Sequence, residues 1–200
     1  MGIENLLQAV KGKIETKDIS TFKGWKVAVD VSGWLHKGLY GAAEDLVDSN
    51  FVDSQLYVDY VLNRVAILQG MGIEPVLVFD GRRNCLKDST NSKRQDIRNA
   101  YINKGKTILK TMKSMSDMEA RKKLRKEAIA NFQKGMAVTP EMESNTIGAL
   151  RRMGVQVVVA PYEADSQLAY LCKTGVCQAV MTEDSYVIVY SMVCEKPFTI

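Results

Sequence analysis

Four short apolar runs, spaced along 200 residues, constrain the fold more than any other feature of this chain. Trp25–Val29, Val76–Phe79, Val155–Ala160 and Ala179–Met181 are rich in β-branched residues, too short for helices, and each is followed by a turn or polar signal. They read as buried strands. Longer helical patterns lie between them; Ser54 to Gly70 places Leu56, Tyr60, Ile67 and Leu68 on one stripe, and Gly70-Met71-Gly72 ends it. Strands that alternate with helices predict an α/β fold, a mostly parallel twisted sheet with helices on both faces.

One segment interrupts the alternation. Lys87–Lys113 and Asp117–Lys134 both read as helices, the second opened by a capping box over Ser116-Asp117-Met118-Glu119. Thr139-Pro140 then supplies an N-cap and a proline at the first helical position of a third helix running toward Arg151. The insertion, about residues 82–135, is rich in charge and poor in core-forming residues, a profile more often functional than structural. Residues 82–134 hold 16 Lys/Arg against 5 Asp/Glu, an excess of +11. With a net charge of +4 overall, the remainder carries 11 basic against 18 acidic residues, or −7. A basic block inside an acidic protein suggests a polyanion contact, although a solvated pair of surface helices accounts equally well for charge alone.

Ligands of open α/β sheets gather outside the carboxyl ends of the strands. Here every predicted strand runs into acid: Asp30 after the first, Asp80 after the second, Glu163 and Asp165 after the third, Glu183 and Asp184 after the fourth. Any single one is ordinarily a turn or cap residue. If the strands are adjacent, however, the carboxylates converge, and their mutual repulsion requires cations. Hard oxygen ligands in this number suit Mg²⁺ or Mn²⁺ rather than zinc. Two such ions about 4 Å apart activate a water and stabilise the leaving oxygen of a phosphodiester. Glu163 and Asp165, at i and i+2, both reach inward only at a strand-to-helix turn. In the basic insertion, Lys87, Arg94 and Arg98 fall at i, i+7 and i+11 on one helical face, placed to bind a phosphate if that face meets the acids, or solvent if it does not.

These motifs together resemble the flap endonuclease/XPG family, in particular the N-terminal nuclease region of its eukaryotic exonuclease-one branch. The resemblance rests on Met1-Gly2-Ile3, on Val27–Asp30 followed by Trp34-Leu35-His36-Lys37-Gly38, and on Pro75–Gly81. Val159–Leu171, with its Tyr-Glu-Ala-Asp core, and Thr182-Glu183-Asp184-Ser185 complete it. It covers residues 1 to about 185. It implies a 5′-nuclease fold with a helical arch and a 5′→3′ exonuclease that also cuts 5′ flaps. The substrate would be DNA with 5′ ends, nicks or flaps. It implies two Mg²⁺ ions, with Mn²⁺ able to substitute, held by Asp30, Asp80, Glu163, Asp165 and Asp184. Lys87 and Arg94 match the arch residues that engage the scissile phosphate, Arg98 extends that face, His36 matches a wedge beside unpaired nucleotides, and Gly2 lies near the substrate. From the residues alone His36 reads instead as a half-buried helix histidine. A nuclear role in repair, replication or recombination follows, with partner proteins engaged through regions outside this chain.

Departures from the family pattern stand beside the matches. Tyr186 occupies the place of a further metal-site Asp, and a phenol is not a carboxylate ligand at neutral pH. On an extended segment it would point to the same side as Asp184. Ser32 stands where the branch tends to place an aromatic. A seventh acid and a helix–two-turn–helix element are expected beyond residue 200. Two rivals follow: a DNA-binding chain with weakened catalysis, and a phosphohydrolase of small esters, which would need no basic insertion.

The rest of the composition is that of an ordinary soluble domain, 46% hydrophobic and 25% charged. No apolar run approaches membrane-spanning length, and the start lacks signal-peptide character, so a soluble intracellular protein without membrane contact is expected. Cys85, Cys172, Cys177 and Cys194 form no C-x-x-C pair and read as reduced thiols.

Overall fold

A computed structural model describes residues 6–48, 54–82 and 88–191. After a short helix α1 (Leu6–Ala9) the elements are β1 (Lys26–Asp30), α2 (Ser32–Asp48), α3 (Ser54–Gly70) and β2 (Glu74–Phe79). Next come α4 (Asp88–Lys113), α5 (Met118–Gly135), α6 (Pro140–Arg152), β3 (Gln156–Val159), α7 (Ala164–Lys173), β4 (Ala179–Met181) and α8 (Tyr186–Ser191). All four predicted strands form, and every pairing is parallel, in the order β3-β2-β1-β4. Successive side chains of a strand face opposite ways, so burial of Val27, Ala28 and Val29 alike means that both faces of β1 are covered. On one face Ala28, Val76, Val78 and Val180 pack with Leu168, Leu171 and Cys172 of α7 and with Val187.

The chain divides into two compact units: Met1–Trp34, Val61–Arg83 and Ser144–Ile200 make the first, Leu35–Tyr60 and Asn84–Glu143 the second. The first holds the sheet. In the second, Ile108, Leu109, Ala128 and Phe132 of α4 and α5 build a core with Ala43 and Val47 of α2. The insertion is therefore better supplied with core residues than its charge suggests. Their spacing is masked by the lysines and arginines around them.

Three local expectations need correction. The buried stripe of α3 is Tyr57, Val61, Val65 and Leu68, whereas Leu56 and Ile67 are exposed. Both sets have helical spacing, and only the first is continuous over every turn. Helix α5 is capped by Asp117, which accepts from the N–H groups of Glu119 and Ala120, and not by a box opening at Ser116. Tyr186 does not continue an extended segment. It opens α8, with the Val187 N–H bonded to the Asp184 carbonyl, so strand alternation from Asp184 does not apply. By contrast Thr139 Oγ1 caps α6 as expected, accepting from the Met142 N–H at 3.3 Å, and Pro140 is the first helical residue. Among the described residues no helix is long and apolar enough to cross a membrane. Cys172 and Cys177 are buried free thiols, the latter pushed up to about 11 chiefly by burial; Cys85 and Cys194 lie outside the described residues.

Candidate metal centre at the strand ends

Because all four strands run the same way, their carboxyl ends lie along one edge of the sheet, and β1 and β4 form the switch point of the strand order. Asp30 is the last residue of β1 and follows Ala28 on the face that α7 covers. Its Oδ1 accepts from the Ser32 N–H at 3.0 Å and its Oδ2 from the Thr182 hydroxyl at 3.1 Å. Thr182 Oγ1 in turn accepts from the Asp184 N–H at 3.0 Å.

Asp80 sits one residue past β2. Its Oδ1 accepts from the Ala164 N–H at 2.8 Å, and its Oδ2 accepts from the Ser32 hydroxyl at 3.2 Å. This carboxylate thus satisfies one of the N–H groups that the start of α7 leaves without an intrahelical partner. Glu163, the N-cap residue itself, has extended backbone and makes no side-chain cap bond. Two residues on, Asp165 occupies the first turn, so the strand-to-helix turn brings both acids to one end of α7.

The loop that makes this possible is pinned by Gly81. Its N–H bonds the Tyr162 carbonyl at 2.6 Å, and the Arg82 N–H bonds the Pro161 carbonyl at 3.1 Å. A Cβ at Gly81 would collide with the backbone carbonyl of Ala160, so only glycine lets the two chain segments close on each other here.

The electrostatics report the convergence. Asp165 is pushed up to about 6, first by burial, then by the charges of Asp184, Asp30, Asp80 and Glu163. Asp30 is likewise raised, mainly by burial, with Asp80 adding repulsion and the Ser32 and Thr182 hydrogen bonds opposing. Five carboxylates from four strand ends therefore share one field, an arrangement that a cation relieves. Among the described residues no three such groups are already drawn in to ligating distance. The donor set, all carboxylate oxygen, fits a hard divalent ion.

In the second unit Arg94 and Arg98 lie one turn apart on α4. The structure brings Arg98 and His36 together: burial first, then the Arg98 charge, lower the His36 imidazole below its usual range. Lys87 and Gly2 lie outside the described residues. Arg125, part of the basic run on α5, makes a two-pronged pair with Asp48 at 2.7 and 3.2 Å and approaches Glu44 at 3.9 Å, so this cation ties α5 to α2. Ser32 and Thr182 were passed over by the sequence reading as site residues. Their position beside strand-end acids was the available signal.

Known proteins resemble this chain in sequence and in fold. The XPG N-terminal domain profile matches residues 1–101, and the XPG I-region profile residues 154–194. Exonuclease 1 of Danio rerio is 39% identical over 98% of this chain and 22% of its own length. Exodeoxyribonuclease 1 of Schizosaccharomyces pombe is 35% identical over 95% of this chain and 31% of its own. The chain thus spans a fifth to a third of these relatives. Among solved structures, the catalytic core of Rad2 in complex with DNA substrate gives a TM-score of 0.62 at 22% identity, over 94% of this chain and 48% of that one. Flap endonuclease-1 of Methanococcus jannaschii gives 0.54 at 23%, over 88% and 54%. The fold is that of the PIN-type 5′ nucleases. Within that class, the chain belongs to the XPG family, whose nucleases depend on divalent metal.

Proposed function

We propose that this chain is the nuclease part of a Mg²⁺-dependent, structure-specific 5′→3′ exodeoxyribonuclease and 5′-flap endonuclease. It acts on DNA in repair, replication or recombination, in the nucleus. The observation that carries the proposal is the hydrogen-bonded joining of acids from different strand ends, Asp30 to Asp80 through Ser32 and Asp30 to the Asp184 N–H through Thr182, beside an Asp165 carboxyl raised first by burial and then by its acidic neighbours. Relatives named exonucleases, and a Rad2 core solved with DNA substrate, support the same substrate class.

In this reading Asp30, Asp80, Glu163, Asp165 and Asp184 hold two Mg²⁺ ions, with Mn²⁺ able to substitute. Bound there, divalent ions supply an activated water and stabilise the leaving oxygen of a phosphodiester. Residues 82–135 form the arch, from which Lys87 and Arg94 grip the scissile phosphate by charge-assisted hydrogen bonds; Arg98 extends the grip along the backbone. His36, its pKa lowered by burial and then by Arg98, meets unpaired nucleotides as an uncharged ring, and Gly2 lies near the substrate.

Tyr186 favours a second reading, a chain that binds branched DNA and cuts it weakly, because the family's acid is absent at that position. Cleavage of a 5′-flap duplex, a nicked duplex and a single strand, with Mg²⁺ and with EDTA, separates the two. Mg²⁺-dependent cutting of flap and nick over single strand supports the first reading. Binding with no cutting supports the second. Cleavage of all three in EDTA overturns both.

A further inference from the structure

The hydrogen bonds at the strand ends form one continuous band. It runs from the Asp184 N–H through Thr182 Oγ1 to Asp30, through Ser32 to Asp80, and on to the Ala164 N–H of α7. Ser32 is its central joint: the N–H holds Asp30 and the hydroxyl holds Asp80, so a single residue fixes the carboxylates of two adjacent strands. Each of the four oxygens of Asp30 and Asp80 receives one hydrogen bond in this band. A carboxylate oxygen has about two lone pairs, so each retains acceptor capacity toward a cation. The two acids are thus oriented without being consumed.

We propose that Ser32 is a positioning residue for metal capture, its hydroxyl aiming Asp80 and thereby setting the affinity of the centre for divalent ions. This rests on the metal-dependent reading above and goes beyond it. Groups that hydrogen-bond a metal ligand fix its rotamer before the ion arrives. Losing one costs ~10–100-fold in metal affinity. Ser32→Ala deletes the hydroxyl and keeps the N–H that holds Asp30, so the effect falls chiefly on Asp80, with a smaller one on Asp30, which the hydroxyl also favours. Ser32→Thr retains a hydroxyl on the same Cβ.

The test titrates Mn²⁺ into the 200-residue protein without DNA, following free Mn²⁺ by electron paramagnetic resonance, for wild type, Ser32→Ala, Ser32→Thr and Asp80→Ala. The proposal expects Ser32→Ala to weaken Mn²⁺ binding ~10-fold or more, Ser32→Thr to stay within ~3-fold of wild type, and Asp80→Ala to lose at least as much as Ser32→Ala. On 5′-flap DNA, Ser32→Ala should need proportionately more Mn²⁺ for half-maximal cleavage while its kcat at saturating Mn²⁺ stays near wild type. A residue that merely supports the start of α2 would lower stability in EDTA and leave both metal readouts unmoved. Wild-type Mn²⁺ affinity in Ser32→Ala, with binding lost in Asp80→Ala, overturns the inference and leaves the nuclease reading standing. Unchanged Mn²⁺ binding in Asp80→Ala overturns both.

Discussion

Replacing Asp165 by asparagine should make the metal-free protein more stable while removing its activity. In the folded chain the Asp165 carboxyl is pushed up to about 6, from an ordinary value of 3.8, first by burial and then by four neighbouring carboxylates. A raised folded value means that the native state binds more protons than the unfolded chain between these limits, so stability falls as pH rises from about 4 to 6. Above both values the full penalty is present, on the order of 1–2 kcal/mol once solvent screening of this partly exposed carboxyl is allowed for. Asparagine keeps the shape and removes the charge. Urea unfolding in EDTA should therefore show Asp165→Asn more stable by ~1–2 kcal/mol at pH 7.5, with an unchanged m value, and by less than about 0.5 kcal/mol at pH 4. Millimolar Mg²⁺ should narrow or reverse the difference, because only the wild type gains the full binding free energy of the ions. Equal or lower stability of Asp165→Asn in EDTA at pH 7.5 would refute the raised Asp165 carboxyl, to which burial and the neighbouring acids both contribute.

Gly81→Ala should destabilise by ~2–3 kcal/mol in urea unfolding, because the new Cβ meets the Ala160 carbonyl and the two pinned loops must separate; a neutral effect would mean that the loops yield freely. Arg94→Ala should lower kcat on a 5′ flap by ~10²–10³-fold, the loss of one charge-assisted phosphate contact, more than it weakens binding. An effect seen only in the salt dependence of binding would reduce Arg94 to a backbone contact. Arg125→Ala should lower thermal stability slightly and leave DNA affinity unchanged in gel-shift titrations, since its guanidinium is engaged by Asp48.

The frame of this protein was legible because its signals are local. Val27–Val29 and Val76–Phe79 have no periodicity other than that of a buried strand, and the acid after each is adjacent in sequence. What escaped depends on partners distant in sequence. Nothing in residues 160–165 tells that Asp80 caps α7, since the Asp80–Ala164 hydrogen bond joins residues 84 apart. Ser32 was noticed only as a departure, because its role lies in a contact to the next strand end. The basic run on α5 counted Arg125 among cations for a polyanion, yet Asp48, 77 residues earlier, claims it. The direction expected for Tyr186 failed for a different reason: two residues past an acid is meaningful in a strand, and α8 begins there.

The most direct measurement is single-turnover cleavage of a 5′-flap duplex, labelled at each end in turn, by wild type, Asp30→Ala and Asp184→Ala across a Mg²⁺ titration. The acids serve chemistry more than binding, so both variants should bind the duplex within a few-fold of wild type. Wild type should release product from the 5′ side with a rate that rises with Mg²⁺, and both variants should be silent at every concentration. Near wild-type, Mg²⁺-dependent rates in both variants would contradict the assignment of the strand-end acids as the metal centre.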